Sequence, residues 1–446
     1  MTQHLRATLF LGLPLIGSHV AQFALHVVDT IMLGWYGVLP LAAGVLSASS
    51  FFVVFVLGSG FAKAVMPMVA SARAQGDDRQ VRRVTRMALW LSIAFGMVTY
   101  PLFWWADQVL LFLGQQPEVA ALGRDFLHIA GFGMVPALLV MVLKSYMAAL
   151  GRTQVVLWVT LIAVPVNVAM GWAFIFGNWG APELGVQGAA LSTLVVQLLS
   201  LTILLAYAAW LPDLKRYQLF IRFWRPDWQA LRAVFRLGWP MGFTGLAEVG
   251  MFQASALMMG WMGTLQLAAH GIAMEITAMS FMVHVGLSNA VTVRTGYFHG
   301  TNNWVELRRA ALAGITLSLA FALLTVAVYL GLGTQLISIF IDPAEPMRPD
   351  IIRIGVVLLA CAALFQFADA SQAIALGMLG GVQDTRVPMV YASISYWGIG
   401  IPASYLMAFP MGLGPVGLWL GLSLGLACAA ISLMLRFWRR KPPLAV

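Results

Sequence analysis

Twelve apolar stretches recur through the chain, each about 20 residues or longer and each followed by a polar turn. A helix of ~20 residues crosses a hydrocarbon core ~30 Å thick, so every stretch is long enough to span a bilayer. They lie near 9–33, 41–69, 87–105, 126–148, 155–176, 188–210, 238–259, 266–292, 310–331, 353–378, 388–408 and 416–436. With 61% of residues hydrophobic and 10% charged, little remains from which to build a water-soluble domain. The longest polar connection, Leu211 to Leu237, is too short and too basic to fold alone. The apolar stretch after Arg6 is too long for a signal-peptide core and carries Asp29, which reads as a retained first span.

The net charge of +9 is not arranged to suit a polyanion. Arg73, Arg79, Arg82, Arg83 and Arg86 follow the second stretch, and Lys215, Arg216, Arg222, Arg225, Arg232 and Arg236 lie between the sixth and seventh. Arg294, Arg308 and Arg309 follow the eighth, and Arg436, Arg439, Arg440 and Lys441 follow the twelfth. The alternate turns hold Arg124, Arg348 and Arg353, beside Asp342, Glu345 and Asp350. This bias is the positive-inside pattern, which puts both termini in the cytoplasm and gives the basicity a reason other than nucleic acid. Cys361 and Cys428 fall inside apolar stretches, as small buried hydrophobes rather than a disulfide.

The chain is also written twice. At a shift of 226 positions, Gly12-Leu13-Pro14 falls on Gly238-Trp239-Pro240, and Gly34-Trp35-Tyr36-Gly37 on Gly260-Trp261-Met262-Gly263. Leu41-Ala42-Ala43 meets Leu267-Ala268-Ala269 at the same shift, and Leu184-Gly185 meets Leu413-Gly414 at 229. Six spans per half leave both halves in the same orientation, as parallel repeats. The fold class is therefore all-α integral membrane, with twelve transmembrane helices in two six-helix lobes. The lobes are expected at 1–210 and 238–446, with 211–237 as a basic linker.

Four acids sit inside these spans: Asp29, Glu248, Glu275 and Asp369. A charged side chain at the bilayer centre costs ~2.5 kcal/mol or more, so such residues face the bundle interior and mark ion or substrate paths. Glu248 lies about ten residues, roughly 15 Å, into its span, near the midplane, with Thr244 and Ser255 on the same face. Asp369 has Gln366 and Gln372 three residues to either side. Burial disfavours an ionised carboxyl until a cation arrives, which is the chemistry of a proton- or sodium-coupled site. Asp29 shares a face with Ser18, Gln22 and His26 but lies nearer the outer end of its span. Under the repeat shift Gln22 corresponds to Glu248, and Asp29 to Ser255. Asn167, after Pro165, is a further ligand candidate where proline frees backbone carbonyls. Glu275, with Thr277 nearby, reads either as cavity-lining or as a neutral acid bonded to a neighbour.

Other polar residues invite plainer readings. Lys63 and Lys144 lie near span ends, where the side chain is expected to reach out to water. His128 and His284 read as packed polar residues, and no His, Cys or acidic spacing forms a transition-metal site. The nucleophile-elbow string at Gly421 to Gly425 lies mid-helix, and the dinucleotide string at Gly412 to Gly417 joins two spans with no strand before it. There is no phosphate-binding P-loop string, so ATP hydrolysis is not expected.

Three blocks carry a family resemblance. They are Pro14 through Val28-Asp29-Thr30-Ile31-Met32-Leu33-Gly34 to Leu41-Ala42-Ala43, Gly238-Trp239-Pro240 through Glu248 to Leu267-Ala268-Ala269-His270, and Gln366 through Asp369 and Gln372 to Gly381-Val382-Gln383-Asp384-Thr385. In this order, with twelve spans, the chain resembles the multidrug and toxic compound extrusion (MATE) family, in its NorM-like bacterial branch, over essentially its full length. The resemblance implies a secondary antiporter of the bacterial inner membrane. It exports small organic cations or drugs in exchange for protons or sodium, with alternating access between two lobes. It acts as a monomer in the lipid bilayer, without a cofactor beyond the coupling ion and without nucleic acid. By motif position, Glu248 and Asp369 match the cation-coupling acids of the second lobe, Asp29 and Asn167 the polar cluster of the first, and Asp384 a loop aspartate. Sodium-coupled members place a tyrosine one turn before the tenth-span acid, where this chain has Phe365. The alternative is a lipid-linked precursor flippase of the same superfamily, whose relatives carry extra spans and a more cationic cavity. An intramembrane enzyme would need a nucleophile–base pair or a metal set, and neither is legible.

Overall fold

The computed structural model describes residues 1–221, 223–343 and 345–440, so Arg222 and Lys441 lie outside the described residues. Every regular element within them is helical. The first repeat contains α1 (Thr2–Tyr36), α2 (Val38–Ala74), α3 (Asp78–Trp104), α4 (Ala106–Phe112), α5 (Pro117–Ala149), α6 (Thr153–Phe176) and α7 (Val186–Trp210). After the short α8 (Pro212–Lys215), the second contains α9 (Trp228–Met262), α10 (Thr264–Gly300), α11 (Trp304–Ser338), α12 (Arg348–Gly381), α13 (Arg386–Ser393), α14 (Ile401–Ala408) and α15 (Gly414–Trp438). Ten of these are long and apolar enough to cross a membrane. The other two crossings are α9, with 35 residues, and the composite of α13, a π-helical segment Ile394–Gly400 and α14. Pro402 has no amide hydrogen to return to the preceding turn, and the helix widens just before it.

The duplication is visible in the helices themselves. α1 and α9 are both 35 residues long with a proline at the same position, Pro14 and Pro240. α2 and α10 are both 37 residues long, joined to their predecessors by the single residues Gly37 and Gly263. The helices overrun the apolar stretches because their ends continue into polar surroundings. Residues 228–237, expected as linker, form the start of α9.

Packing divides the chain into Gly17–Phe243 and a second unit made of Met1–Ile16 with the chain from Thr244 onward. These bounds differ from the expected 210/211 and 237/238. α1 and α9 each contribute their first part to one unit and the remainder to the other. In the 17–243 unit the cause is a glycine contact. A Cβ on Gly242 would lie 2.1 Å from the Leu57 carbonyl oxygen, and one on Gly60 2.2 Å from that of Gly238. The backbones of α2 and α9 therefore touch, and Phe61 stacks on Phe235 at 5.6 Å beside them. In the other unit the buried Arg294 holds the start of α1, donating to the His4 carbonyl at 2.5 Å, Thr8 Oγ1 at 2.6 Å and His4 Nδ1 at 2.7 Å. A guanidinium only donates, so the His4 proton lies on Nε2, which meets Glu306 at 2.8 Å. Within the units, α5 packs against α2, α3 and α7, and α12 against α10, α11 and α15.

The basic residues after α2 also have a packing role. Arg86 donates to the Leu219 carbonyl at 2.7 Å and Trp90 to that of Phe223 at 3.1 Å, which straps the connection after α7 onto α3. Arg83 pairs with Asp227 through Nε and, at 3.1 Å, through a terminal nitrogen. Asp227 Oδ1 also accepts the Ala230 amide at 3.0 Å, capping the first turn of α9.

Gly242→Ala should lower the apparent melting temperature in detergent, because forcing a methyl into backbone contact costs ~1–3 kcal/mol. Gly271→Ala, where a Cβ meets nothing within 4 Å, should not, and equal behaviour of the two variants would contradict the contact. Hydrogen bonds from Arg83 hold the Asp227 carboxyl below its ordinary 3.8. That pair stabilises the strap above the ordinary value and stops doing so as pH falls through the depressed one. The protection of amides 223–230 from hydrogen exchange, taken relative to the intrinsic rate at each pH, should thus fall on acidification below about pH 4 in the wild type, and be low and independent of pH in Asp227→Asn. A wild-type profile matching that of the variant would refute the assignment.

Candidate functional site

α12 presents Gln366, Asp369 and Gln372 on one face, and all three are buried, at 0%, 3% and 1% exposure. Glu248 of α9 lies beside this face: Gln372 Nε2 donates to Glu248 Oε1 at 3.4 Å and to the Tyr396 hydroxyl at 2.6 Å. Asp369 lies three residues before Gln372 on the same face of α12. Gln366 Nε2 donates to His284 Nε2 at 2.8 Å, so the His284 proton is on Nδ1 and donates to Ser318 Oγ at 2.8 Å. His284 is a packed polar residue, as its sequence context indicates.

The oxygens of this group define its chemistry. Asp369 Oδ1, Gln366 Oε1 and Gln372 Oε1 are buried without a hydrogen-bond partner among the described residues. All three are acceptors, and buried acceptors are ordinarily satisfied. Only a proton donor or a cation matches such a set, and hard cations take oxygen ligands. The residues fit a proton or a small hard cation.

The first repeat holds a second acid in a different setting. Asp29 Oδ1 accepts from Asn167 Nδ2 at 3.0 Å and Oδ2 from Thr193 Oγ1 at 3.1 Å. Asn167 Nδ2 also reaches Ser192 Oγ at 3.2 Å, and that hydroxyl donates back to the Asn167 carbonyl at 3.2 Å. Both carboxylate oxygens of Asp29 thus have protein donors, and the acceptor left over is Asn167 Oδ1.

The remaining candidates are not gathered into either group. His26 is exposed, and its carbonyl accepts from Thr30. Ser255 is fully buried and spends its hydroxyl on the Phe252 carbonyl at 2.7 Å. Thr244 is buried at the start of its unit, and Glu275 is exposed. Phe365 packs edge-on to Trp419 at 5.6 Å. Asp384 pairs with Arg436 at 2.6 Å and Arg440 at 3.3 Å, fastening the turn after α12 to the end of α15. His128 stacks on Trp104 at 4.7 Å.

One expectation is corrected. Lys144 is half-buried rather than extended into water; its Nζ donates to Gln22 Oε1 at 3.2 Å and Thr160 Oγ1 at 2.9 Å. Sequence reasoning also missed Ser192, Thr193 and Tyr396. The adjacent hydroxyls of Ser192 and Thr193, in an otherwise apolar stretch, were the available signal; Tyr396 among apolar neighbours offered none.

The MatE family profile matches residues 14–173 and 240–406, the two repeats. The probable multidrug resistance protein NorM of Rhizobium meliloti is 44% identical over 436 residues, covering 98% of this chain and 93% of that protein. Its counterpart in Agrobacterium fabrum is 43% identical, covering 97% and 93%. The crystal structure of the eukaryotic MATE transporter AtDTX14 superposes with a TM-score of 0.90 at 18% identity, over 99% of this chain and 96% of that one. With both repeats matched and relatives this similar along their whole length, the chain belongs to the MatE family, in its NorM-like branch.

Proposed function

We propose that this protein is a multidrug exporter of the bacterial inner membrane, working as an antiporter that exchanges organic cations for protons or sodium. The relatives named as multidrug resistance proteins support the class of activity, and the transporter fold supports it over an enzyme. The observation that carries the mechanism is the set of unpartnered buried acceptors around Asp369, next to Glu248. An acid with a buried oxygen that lacks a donor is suited to take up a proton or a small cation. Coupling then requires that the ion and the drug favour different states of the two repeats, so that loading one releases the other. Asp29, already supplied with two donors, serves as a second and more fully furnished station. Both termini lie in the cytoplasm on this reading, which the positive-inside bias supports.

Reconstituted protein, given a fluorescent organic cation under separately imposed proton and sodium gradients, tests this directly. One of the two gradients should drive dye movement. Asp369→Asn should reduce the driven rate by roughly 5–150-fold, the range of a coupling free energy of ~1–3 kcal/mol. Undiminished gradient-driven transport by Glu248→Gln/Asp369→Asn would refute the mechanism.

A further inference from the structure

The 17–243 unit holds a charge that ion exchange at Asp369 leaves without a task. Lys144 lies five residues before the end of α5, while its partner Thr160 lies seven residues into α6, which begins just after the same turn. The ammonium is therefore carried into the span, opposite to the direction in which a lysine near a helix end extends to reach water. Both of its protein partners, Thr160 Oγ1 and Gln22 Oε1, are neutral oxygens. Ion pairs in this unit, among the described residues, join Arg83 to Asp227, Arg124 to Asp107 and Asp125, Arg152 to Asp213 and Arg216 to Asp78. None includes Lys144. Asp29, the embedded acid of this unit, is engaged by Asn167 and Thr193. Lys144 is half-buried and its partner Gln22 is exposed, which leaves the group an open side.

The repeat sharpens the point. In the second repeat Gln372 of α12 donates to Glu248 of α9; in the first, Lys144 of α5 donates to Gln22 of α1, the residue that corresponds to Glu248. Gly151 and Gln383, each at positive φ, follow α5 and α12. Counted back from them, Lys144 lies seven residues in and Gln372 eleven, one turn apart on the same face. Equivalent helix pairs thus make the same kind of bond, with the charge inverted: an acid facing an amide in one, an amide facing an ammonium in the other. Embedded charges pair with opposite charge, and among the described residues no carboxylate makes an ion pair with Lys144.

We propose that Lys144, oriented by Gln22 and Thr160, is a receptor for the anionic group, a carboxylate or a phosphate, of an amphiphilic ligand. The proposal rests on the exporter function above and extends its ligands from pure cations to compounds that also carry an anionic group.

Two dyes with one chromophore separate these properties. Rhodamine 110 has a free carboxylate, and rhodamine 123 is its methyl ester. Fluorescence polarisation with the purified full-length protein gives the affinity of each without requiring transport. Lys144→Met should weaken rhodamine 110 by roughly tenfold or more and leave rhodamine 123 within about twofold, with Lys144→Arg restoring the difference. Retained rhodamine 123 binding shows that the variant is folded. Equal losses for both dyes, or no loss for either, would overturn the site. Displacement of rhodamine 110 from the wild type by short-chain phosphatidylglycerol, but not by inorganic phosphate, assigns the anion to a lipid headgroup. Displacement by neither assigns it to the carboxylate of a soluble compound. Failure of dye export with this discrimination intact would count against the exporter function and not against the site.

Discussion

The cost of holding a carboxylate away from water organises this molecule. At ~2.5–3.5 kcal/mol for a charged side chain at a helix centre, an embedded acid persists only if its surroundings compensate it. Asp29 is compensated by the protein, with a donor on each oxygen. Asp369 is not: one of its oxygens is buried without a partner, and the amide oxygens of Gln366 and Gln372 share that condition. The first arrangement is closed and the second is open, with acceptors that suit a hydrogen-bond donor or a cation.

The helices that carry these groups are set by simpler forces. Glycine at 60, 238 and 242 lets α2 and α9 meet backbone to backbone, and Arg294 ties down the start of α1. As a result α1 and α9 are each shared between the two packing units, with a proline at the same position in both. Gln22 and Glu248 lie beyond those prolines, at corresponding places in the two helices. One architecture thus presents two sites of opposite charge character.

Much of this was legible in the sequence. Long apolar runs forecast the spans, because the bilayer demands them, and the register between Pro14 and Pro240 forecast two equal bundles. Helix ends were not legible: Arg232 and Arg236 read as linker but lie in the first turns of α9, since a helix tolerates charge once it leaves the hydrocarbon. For the site, the i, i+3 spacing on α12 placed Gln366, Asp369 and Gln372 on one face in advance. Partners contributed by other helices left no periodic trace. Thr193 lies 164 positions from Asp29, and Thr160 lies 142 from Ser18. Lys144 was misread because proximity to a helix end says nothing about which way a flexible side chain turns.

In the proposed mechanism, organic cation and coupling ion oppose each other through Glu248 and Asp369. Calorimetry of tetraphenylphosphonium binding to the purified protein tests it most directly, run in buffers of differing ionisation enthalpy and with sodium varied. Binding should displace protons or sodium from the wild type, and should displace neither from Glu248→Gln/Asp369→Asn. Tight binding to the wild type with no proton released and no dependence on sodium would contradict the account.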